Sequence, residues 1–372
     1  MIDTDRFYDA LVAEGLDFFC GVPDSLLAQL CNCVFDRAPR ERNVICANEG
    51  NAVGVACGWH LATGRAAVVY LQNSGEGNAV NPLLSIADPE VYGIPMLLVI
   101  GWRGEPGVPD EPQHAKQGKV TLGLLEAMGV PFEVLDPSCW EDQLSRLAAT
   151  MRGEGRPVAL VVRKGAFAAH PFAQELTDDP LTREEALSVV LDAMGGDDLV
   201  VSTTGKESRE VFELREARGE GHARDFLTVG GMGHTSSIAF GLASGTDRAV
   251  WCLDGDGSML MHLGALAVFG TRGLPNLHYV VNDNGAHESV GGQPTATRDI
   301  DVPAILAACG FAPVLCASTS DEIARAMATL SQSAGGALVM RTRQGSRDDL
   351  GRPTTTPQEN KRALMATVGS LR

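Results

Sequence analysis

Short, continuous apolar runs separated by helix-length segments recur along the whole chain, and no other feature restricts its fold as much. In the first half the runs are "DFFCGV", "NVICA", "AAVVYLQ", "MLLVIGW", "FEVL" and "VALVVR". In the second half they are "DLVVSTTG", "DFLTVGGMG", "AVWCLDGDG", "LHYVVNDNG", "APVLCAS" and "GALVMRT". Runs of this length without polar alternation are the pattern of strands buried on both faces. The segments between them supply the covering helices that parallel strands need as crossovers. After Lys164 comes "GAFAAHPFAQELTDDPLTREE", rich in Pro, Ala and acidic residues, which reads as a linker. The expected fold class is α/β, with two doubly wound parallel-sheet domains at 1–165 and 184–372 and a linker at 166–183. The 372-residue length agrees with two domains. No short repeat is visible; the two halves could share a fold, but their motifs differ.

Composition removes several classes of function. Hydrophobic residues are 44% and charged residues 21%, which suits a soluble globular chain. The longest apolar runs, such as "IPMLLVIGW", are too short to span a bilayer. The N-terminal "MIDTDRFYDALVAEG" reads as an acidic amphipathic helix rather than a signal peptide. A net charge of −17 argues against nucleic acid or an anionic membrane as partner, and an anionic substrate would need a local cationic pocket. The nine cysteines include no Cys-x-x-Cys pair, which points to buried reduced thiols in a cytoplasmic protein rather than disulfides or zinc.

The stretch from Asp254 to Ser289 carries the chemistry. "GDG" follows one strand-like run and "NDNG" follows the next. The segment Ser258 to Thr271 between them reads as one sheet-covering helix, so the whole stretch is a βαβ crossover. Asp256 and Asp283 are 27 positions apart (283 − 256) and fall at the same end of parallel strands. Ligands of open parallel sheets bind beyond those ends. Hard oxygen donors at a glycine-rich turn suit Mg²⁺ or Ca²⁺, and an adjacent helix N-terminus suits a phosphate. Asp, Asn and Gly are also default turn formers, so either cluster alone would read as a turn. The pair, one crossover apart, reads as a site. Walker A and a glycine-rich dinucleotide fingerprint are both missing, which moves nucleotide hydrolysis and nicotinamide chemistry down the order.

"GDG" with an Asn/Asp cluster and Gly at this spacing resembles the thiamine diphosphate motif. With "FFCGVPDSLL", "DEPQHAKQG", "NDNGAHESVGGQPT" and "DLGRPTTTPQENK", the chain is similar over nearly its whole length to the phosphonopyruvate decarboxylase family, near the sulfopyruvate decarboxylases. The resemblance implies two domains of the thiamine diphosphate-binding fold, a pyrimidine-binding one and a diphosphate- and Mg²⁺-binding one, without a middle domain. It implies thiamine diphosphate and Mg²⁺ as cofactors. Asp256, Asp283 and Gly285 would ligate the metal, Gly285 through its carbonyl. Many members have Asn where this chain has Asp283. Gly255, Gly257 and Ser258 complete the cofactor-binding turn. Glu49 in "NEGNAVG" would hydrogen-bond the aminopyrimidine ring. Gly230 would accept from its amino group, and Met232 would wedge under the cofactor. Read alone, Glu49 is a carboxylate at a helix N-terminus and Met232 a gap-filling core residue.

The implied reaction is decarboxylation of 3-phosphonopyruvate to phosphonoacetaldehyde and CO₂, in phosphonate natural-product and antibiotic biosynthesis. Asp24 and Ser25 in "GVPDS" are polar groups for the reacting carbons, or a helix cap before "LLAQL". His114 and His287 are proton-transfer or substrate-contact candidates, or ordinary loop histidines. Arg103 and the loop residues Lys116 and Lys119 are candidates for the remote phosphonate, or solvated charge. Arg352 could close over the site, or belong to a structural tail. His60, His170 and His222 read as surface or linker residues. Sulfopyruvate or another 2-oxo acid is the rival substrate, and a catalytically silent cofactor-binding homologue the rival class. The resemblance also implies a homodimer or higher homo-oligomer with active sites at subunit interfaces.

Overall fold

The computed structural model describes residues 1–173 and 176–369. Two compact units are present, Met1–Gln174 with Ser289–Gln293 and Glu175–Glu288 with Pro294–Arg372. The chain passes between them at Gln174 and Glu175, inside the 166–183 segment; these two residues lie outside the described ones.

The first unit holds a six-stranded sheet of β1 (Phe19–Gly21), β2 (Asn43–Ile45), β3 (Ala67–Gln72), β4 (Met96–Gly101), β5 (Phe132–Val134) and β6 (Pro157–Val162). The second holds β7 (Leu199–Ser202), β8 (Asp225–Leu227), β9 (Val250–Gly255), β10 (Leu277–Asp283), β11 (Val314–Ala317) and β12 (Gly336–Arg341). Eleven lie within the runs expected from the sequence, and β6 begins one residue before its run, at Pro157. Every pairing in both sheets is parallel. Strand orders are β2-β1-β3-β4-β6-β5 and, read from the other edge, β8-β7-β9-β10-β12-β11. The two orders are the same topology, so the halves do share a fold.

Each sheet is covered on both faces. Along β4, Leu97 and Val99 enter one apolar cluster, while Met96, Leu98 and Ile100 enter the opposite one. Along β9, Trp251 and Leu253 face one cluster and Val250 and Cys252 the other. This two-sided burial is why the strands read as unbroken apolar runs. Helices provide the covering layers. The N-terminal helix Thr4–Ala13 is capped by Asp3, whose carboxylate accepts from the Arg6 amide.

The expected single helix from Ser258 to Thr271 is two helices, Asp256–Met261 and Leu263–Arg272, separated at His262 (φ −132°, ψ 45°). The first is tied to loop residues through Asp256 and Ser258; the second lays Leu266 on the sheet and Gly270 against the Cys309 backbone. Two sets of anchors replace one continuous packing face. The described C-terminal residues pack on the second sheet. Its helix Pro357–Thr367 places Asn360 against edge strand β8, accepting from the Leu227 amide at 3.1 Å and donating to the Asp225 carbonyl at 2.7 Å. Exposed Arg352 lies in the stretch leading to it. No described helix is long and apolar enough to cross a membrane.

Candidate active site

In the second unit, β9 and β10 are sheet neighbours, with Gly255 paired to Asn282. Asp256 and Asp283 therefore come together at the carboxyl edge, and both are buried. Thr297 links them: its hydroxyl lies 2.7 Å from Asp283 Oδ1 and 3.3 Å from Asp256 Oδ2. Thr295 donates to Asp256 Oδ2 at 2.7 Å. Backbone amides of Gly257 and Gly285 donate to Asp256 Oδ1 (2.7 Å) and Asp283 Oδ1 (3.2 Å). Gly285 has φ +69°, and the Arg298 side chain fills the space a β-carbon would need. Burial, then the neighbouring Asp283 charge, pushes the Asp256 carboxyl up to about 7. Two buried carboxylates side by side form a hard-oxygen donor set, and a divalent cation fits it.

The surrounding turn is a shaped cradle. Ser258 Oγ accepts from the Gly233 amide at 3.1 Å and sits 3.2 Å from Thr203 Oγ1. A β-carbon on Gly257 would meet the His287 ring at 3.1 Å and the Met232 methyl at 3.3 Å. Met232 is partly exposed, so it is not a core filler, and it stands directly beside the "GDG" turn. Gly230 precedes the turn in which Gly231 and Gly233 take φ of +72° and +85°. Burial pushes the His287 imidazole down to about 4, leaving it neutral near pH 7. Next to it, Glu288 accepts from Lys206 (2.8 Å), Asn284 (2.9 Å) and Arg183 (3.1 Å).

In the first unit, Glu49 opens the helix Glu49–Thr63, which Asn48 caps by accepting from the Gly50 amide at 2.7 Å. The Glu49 side chain is buried and accepts from Asn78 Nδ2 at 2.8 Å. Asp24 lies at the end of β1 and is fully buried. Its carboxylate accepts from Gln72 Nε2 (2.5 Å) and the Leu26 amide (3.0 Å), and burial raises its pKa. A Cβ on Gly101, the last residue of β4, would run into that carboxylate. Arg103 donates to Ser25 Oγ at 2.9 Å and makes a two-point pair with Asp110. The Arg103 contact holds the Asp110 carboxyl well below the usual range.

Several expectations need correction. Arg103 is not a free cation: Asp110 neutralises it. Lys116 and Lys119 are not in a loop. They are exposed residues of the helix His114–Ala127, which His114 begins. His114 is buried with Nδ1 unpartnered, and burial, then the Arg103 charge, lowers its pKa. The helix after "GVPDS" starts at Ala28, so the Asp24 carboxylate closes a local turn and does not cap it. His170 and His222 are largely buried. His170 lies between Asp5 and Asp36 at 3.5 and 3.4 Å, and His222 stacks on Phe212 and meets Glu216 at 2.6 Å. His60 is partly buried, its Nδ1 3.2 Å from the Arg65 carbonyl. Six cysteines are buried, but Cys139 and Cys316 are exposed.

The sequence reading did not find Thr295, Thr297, Arg341 or Glu76. Glu76 follows β3, as Asp256 follows β9 at the same place in the shared topology, and "GEG" there parallels "GDG". Comparing the two strand ends would have found it.

Two family descriptions match the chain. Residues 4–123 match the N-terminal TPP binding domain of thiamine pyrophosphate enzymes, and residues 203–340 the C-terminal TPP binding domain. The chain is 35% identical over 387 residues to the phosphonopyruvate decarboxylase of Streptomyces viridochromogenes, spanning 99% of this chain and 95% of that one. It is 34% identical over 379 residues to the phosphonopyruvate decarboxylase of Streptomyces hygroscopicus, spanning 96% and 92%. It is 26% identical over 336 residues to the sulfopyruvate decarboxylase of Methanosarcina acetivorans, spanning 82% of each.

Proposed function

The chain belongs to the phosphonopyruvate decarboxylase family of thiamine pyrophosphate enzymes, and on that premise we propose that it converts 3-phosphonopyruvate to phosphonoacetaldehyde and CO₂ with thiamine diphosphate and Mg²⁺. The observation that carries the metal-dependent reading is the convergence of Asp256 and Asp283 on the Thr297 hydroxyl beside a glycine turn.

When bound, thiamine diphosphate supplies an electron sink for loss of CO₂ from a 2-oxo acid. Asp256, Asp283 and the Gly285 carbonyl would hold Mg²⁺, and Gly255, Gly257 and Ser258 would receive the diphosphate. Glu49, held by the Asn78 amide, would hydrogen-bond the aminopyrimidine. The Gly230 carbonyl would accept from the amino group, and Met232, beside the Gly257 turn, would pack against the cofactor. His114 would move the proton that replaces CO₂ in the product aldehyde, with Asp24 and Ser25 as polar neighbours of the substrate. His287 walls the cradle. Exposed Lys116 and Lys119 supply positive charge toward the remote anion, with Arg103 as a neutralised anchor. Phosphonate biosynthesis is the setting, in the cytoplasm, and a homodimer is the minimum assembly.

A second substrate reading has a specific observation behind it. Pairing with Asp110 removes Arg103 from the free cations, which lowers the positive charge available for a dianion and suits the singly charged sulfonate of sulfopyruvate. Turnover of phosphonopyruvate, sulfopyruvate and pyruvate with thiamine diphosphate and Mg²⁺ decides between them. Phosphonopyruvate is expected to have the highest kcat/KM; a preference for pyruvate would overturn both readings. Glu49→Gln is expected to abolish turnover while leaving the fold intact, and unchanged product formation would sink the role given to Glu49.

A further inference from the structure

One guanidinium is aimed at the cation site of the second unit. Asp283 ends β10 and Arg341 ends β12, and the two residues are directly paired in the parallel register. Neighbouring side chains on adjacent strands lie on one face of the sheet, so their charges meet. Arg341 Nη1 donates to Asp283 Oδ2. The other oxygen, Oδ1, is held by Thr297 at 2.7 Å and the Gly285 amide at 3.2 Å.

Other charged groups nearby do not share this role. Arg298 Nε lies 3.8 Å from Asp283 Oδ1, but its Nη2 is committed to Asp179 (2.9 Å) and to the carbonyls of Asp283 and Thr342 (3.1 Å each). Asp256 is bonded by hydroxyls and amides, and among the described residues no ion pair is found on it. The positive charge therefore sits on one carboxylate of the two.

The arithmetic of charge explains why that matters. Two ionised carboxylates give −2, and Arg341 brings the group to −1, the charge of a site with a single carboxylate. A divalent cation shared with a diphosphate needs this restraint, because each extra negative charge on the protein repels the phosphates bound to the same ion. We propose that Arg341 is a positioning residue of the cation site: it ties down Asp283 Oδ2, leaves Oδ1 for the cation, and offsets the second carboxylate so that a diphosphate can share the ion. The inference rests on the Mg²⁺ site proposed above.

A double-mutant cycle tests it, with Mn²⁺ as the probe. The four proteins are the wild type, Asp283→Asn, Arg341→Met and the double variant. Mn²⁺ affinity is read from the electron paramagnetic resonance signal of the free ion, with thiamine diphosphate present. Each single change is expected to weaken Mn²⁺ binding by roughly tenfold, because it leaves an uncompensated charge; the double variant is expected within about threefold of the wild type. A double variant as weak as the product of the two single losses would overturn the proposal. So would unchanged Mn²⁺ affinity in Arg341→Met with a lowered melting temperature of the cation-free protein, the pattern of a purely structural pair. Should Arg341→Met fail to fold, Arg341→Lys against Arg341→Gln repeats the comparison, and the charge-keeping Lys is expected to bind Mn²⁺ more tightly. A wild type that binds no Mn²⁺ would sink the Mg²⁺ site itself, a separate outcome from lost coupling.

Discussion

The Glu49 carboxylate occupies the space that a β-carbon on Gly75 would fill. Gly75 has φ −85°, a conformation open to any residue, so the backbone does not require glycine there; the carboxylate does. Alanine at this position would meet Oε1, Cδ and Cγ of Glu49 well inside van der Waals contact. Gly75→Ala is expected to displace the carboxylate, and a misplacement of about 1 Å in a proton-transfer group costs roughly 10²-fold in rate. The measurement is kcat alongside circular dichroism. A native spectrum with unchanged kcat would show that Glu49 does not need its observed position.

The residue after Gly75 makes stability depend on pH. Glu76 is buried with Oε1 unpartnered; burial pushes its carboxyl up to about 8, partly opposed by a hydrogen bond from Thr121. The unfolded chain ionises near 4.5, so between that value and about 8 the folded protein holds a proton that the unfolded one has lost. Stability therefore falls as pH rises through that window, by on the order of 5 kcal/mol. Glu76→Gln removes the titration. It is expected to flatten the curve, gaining stability at pH 8 and changing little at pH 5. Urea unfolding at the two pH values checks this, and parallel curves for wild type and variant would contradict it.

The strands and the Asp256–Asp283 pair were legible because both depend on short-range pattern: apolar runs buried on two faces, and one crossover of fixed length. The companions of that pair were not. Thr297 arrives through a one-turn helix (Ala296–Asp299) and Arg341 through strand β12, 58 positions beyond Asp283. Sequence spacing carries no information on either contact; the order of strands in the sheet does. Lys116 and Lys119 were misread as loop residues because their helix, "HAKQGKVTLGLLEA", contains Gly118 and Gly123 and lacks a clean apolar stripe. Gly118 is needed there, since its α-carbon lies against the Gly104 carbonyl where no β-carbon fits. Tertiary packing at that point overrides helix propensity.

A buried ion pair supports the loop below the cradle. Arg183 donates from Nε and Nη2 to Glu210 at 2.6 and 2.8 Å and from Nη1 to Glu288 at 3.1 Å. Both Arg183 and Glu210 are buried, so removing one partner strands the other's charge. Arg183→Met is expected to cost roughly 3–5 kcal/mol, and Arg183→Met with Glu210→Leu substantially less, because the second change removes the orphaned carboxylate. Chemical denaturation of the three proteins measures it. A double variant no more stable than the single one would mean that Arg183 acts mainly through Glu288.

The C-terminal helix offers a way to separate a structural tail from a closing one. β8 is an edge strand, and Asn360 uses both ends of its amide on it, at the Leu227 amide and the Asp225 carbonyl. An uncovered strand edge is exposed to mispairing, and a side-chain amide that satisfies two backbone groups closes it. Asn360→Ala leaves a buried donor and a buried acceptor without partners, a loss of roughly 1–3 kcal/mol each at most, and the helix should detach first. Hydrogen exchange is expected to quicken at Leu227 and along Pro357–Thr367, while KM for the 2-oxo acid stays within about twofold, as expected for a surface cap remote from chemistry. A raised KM with unchanged exchange would instead assign the tail to substrate closure.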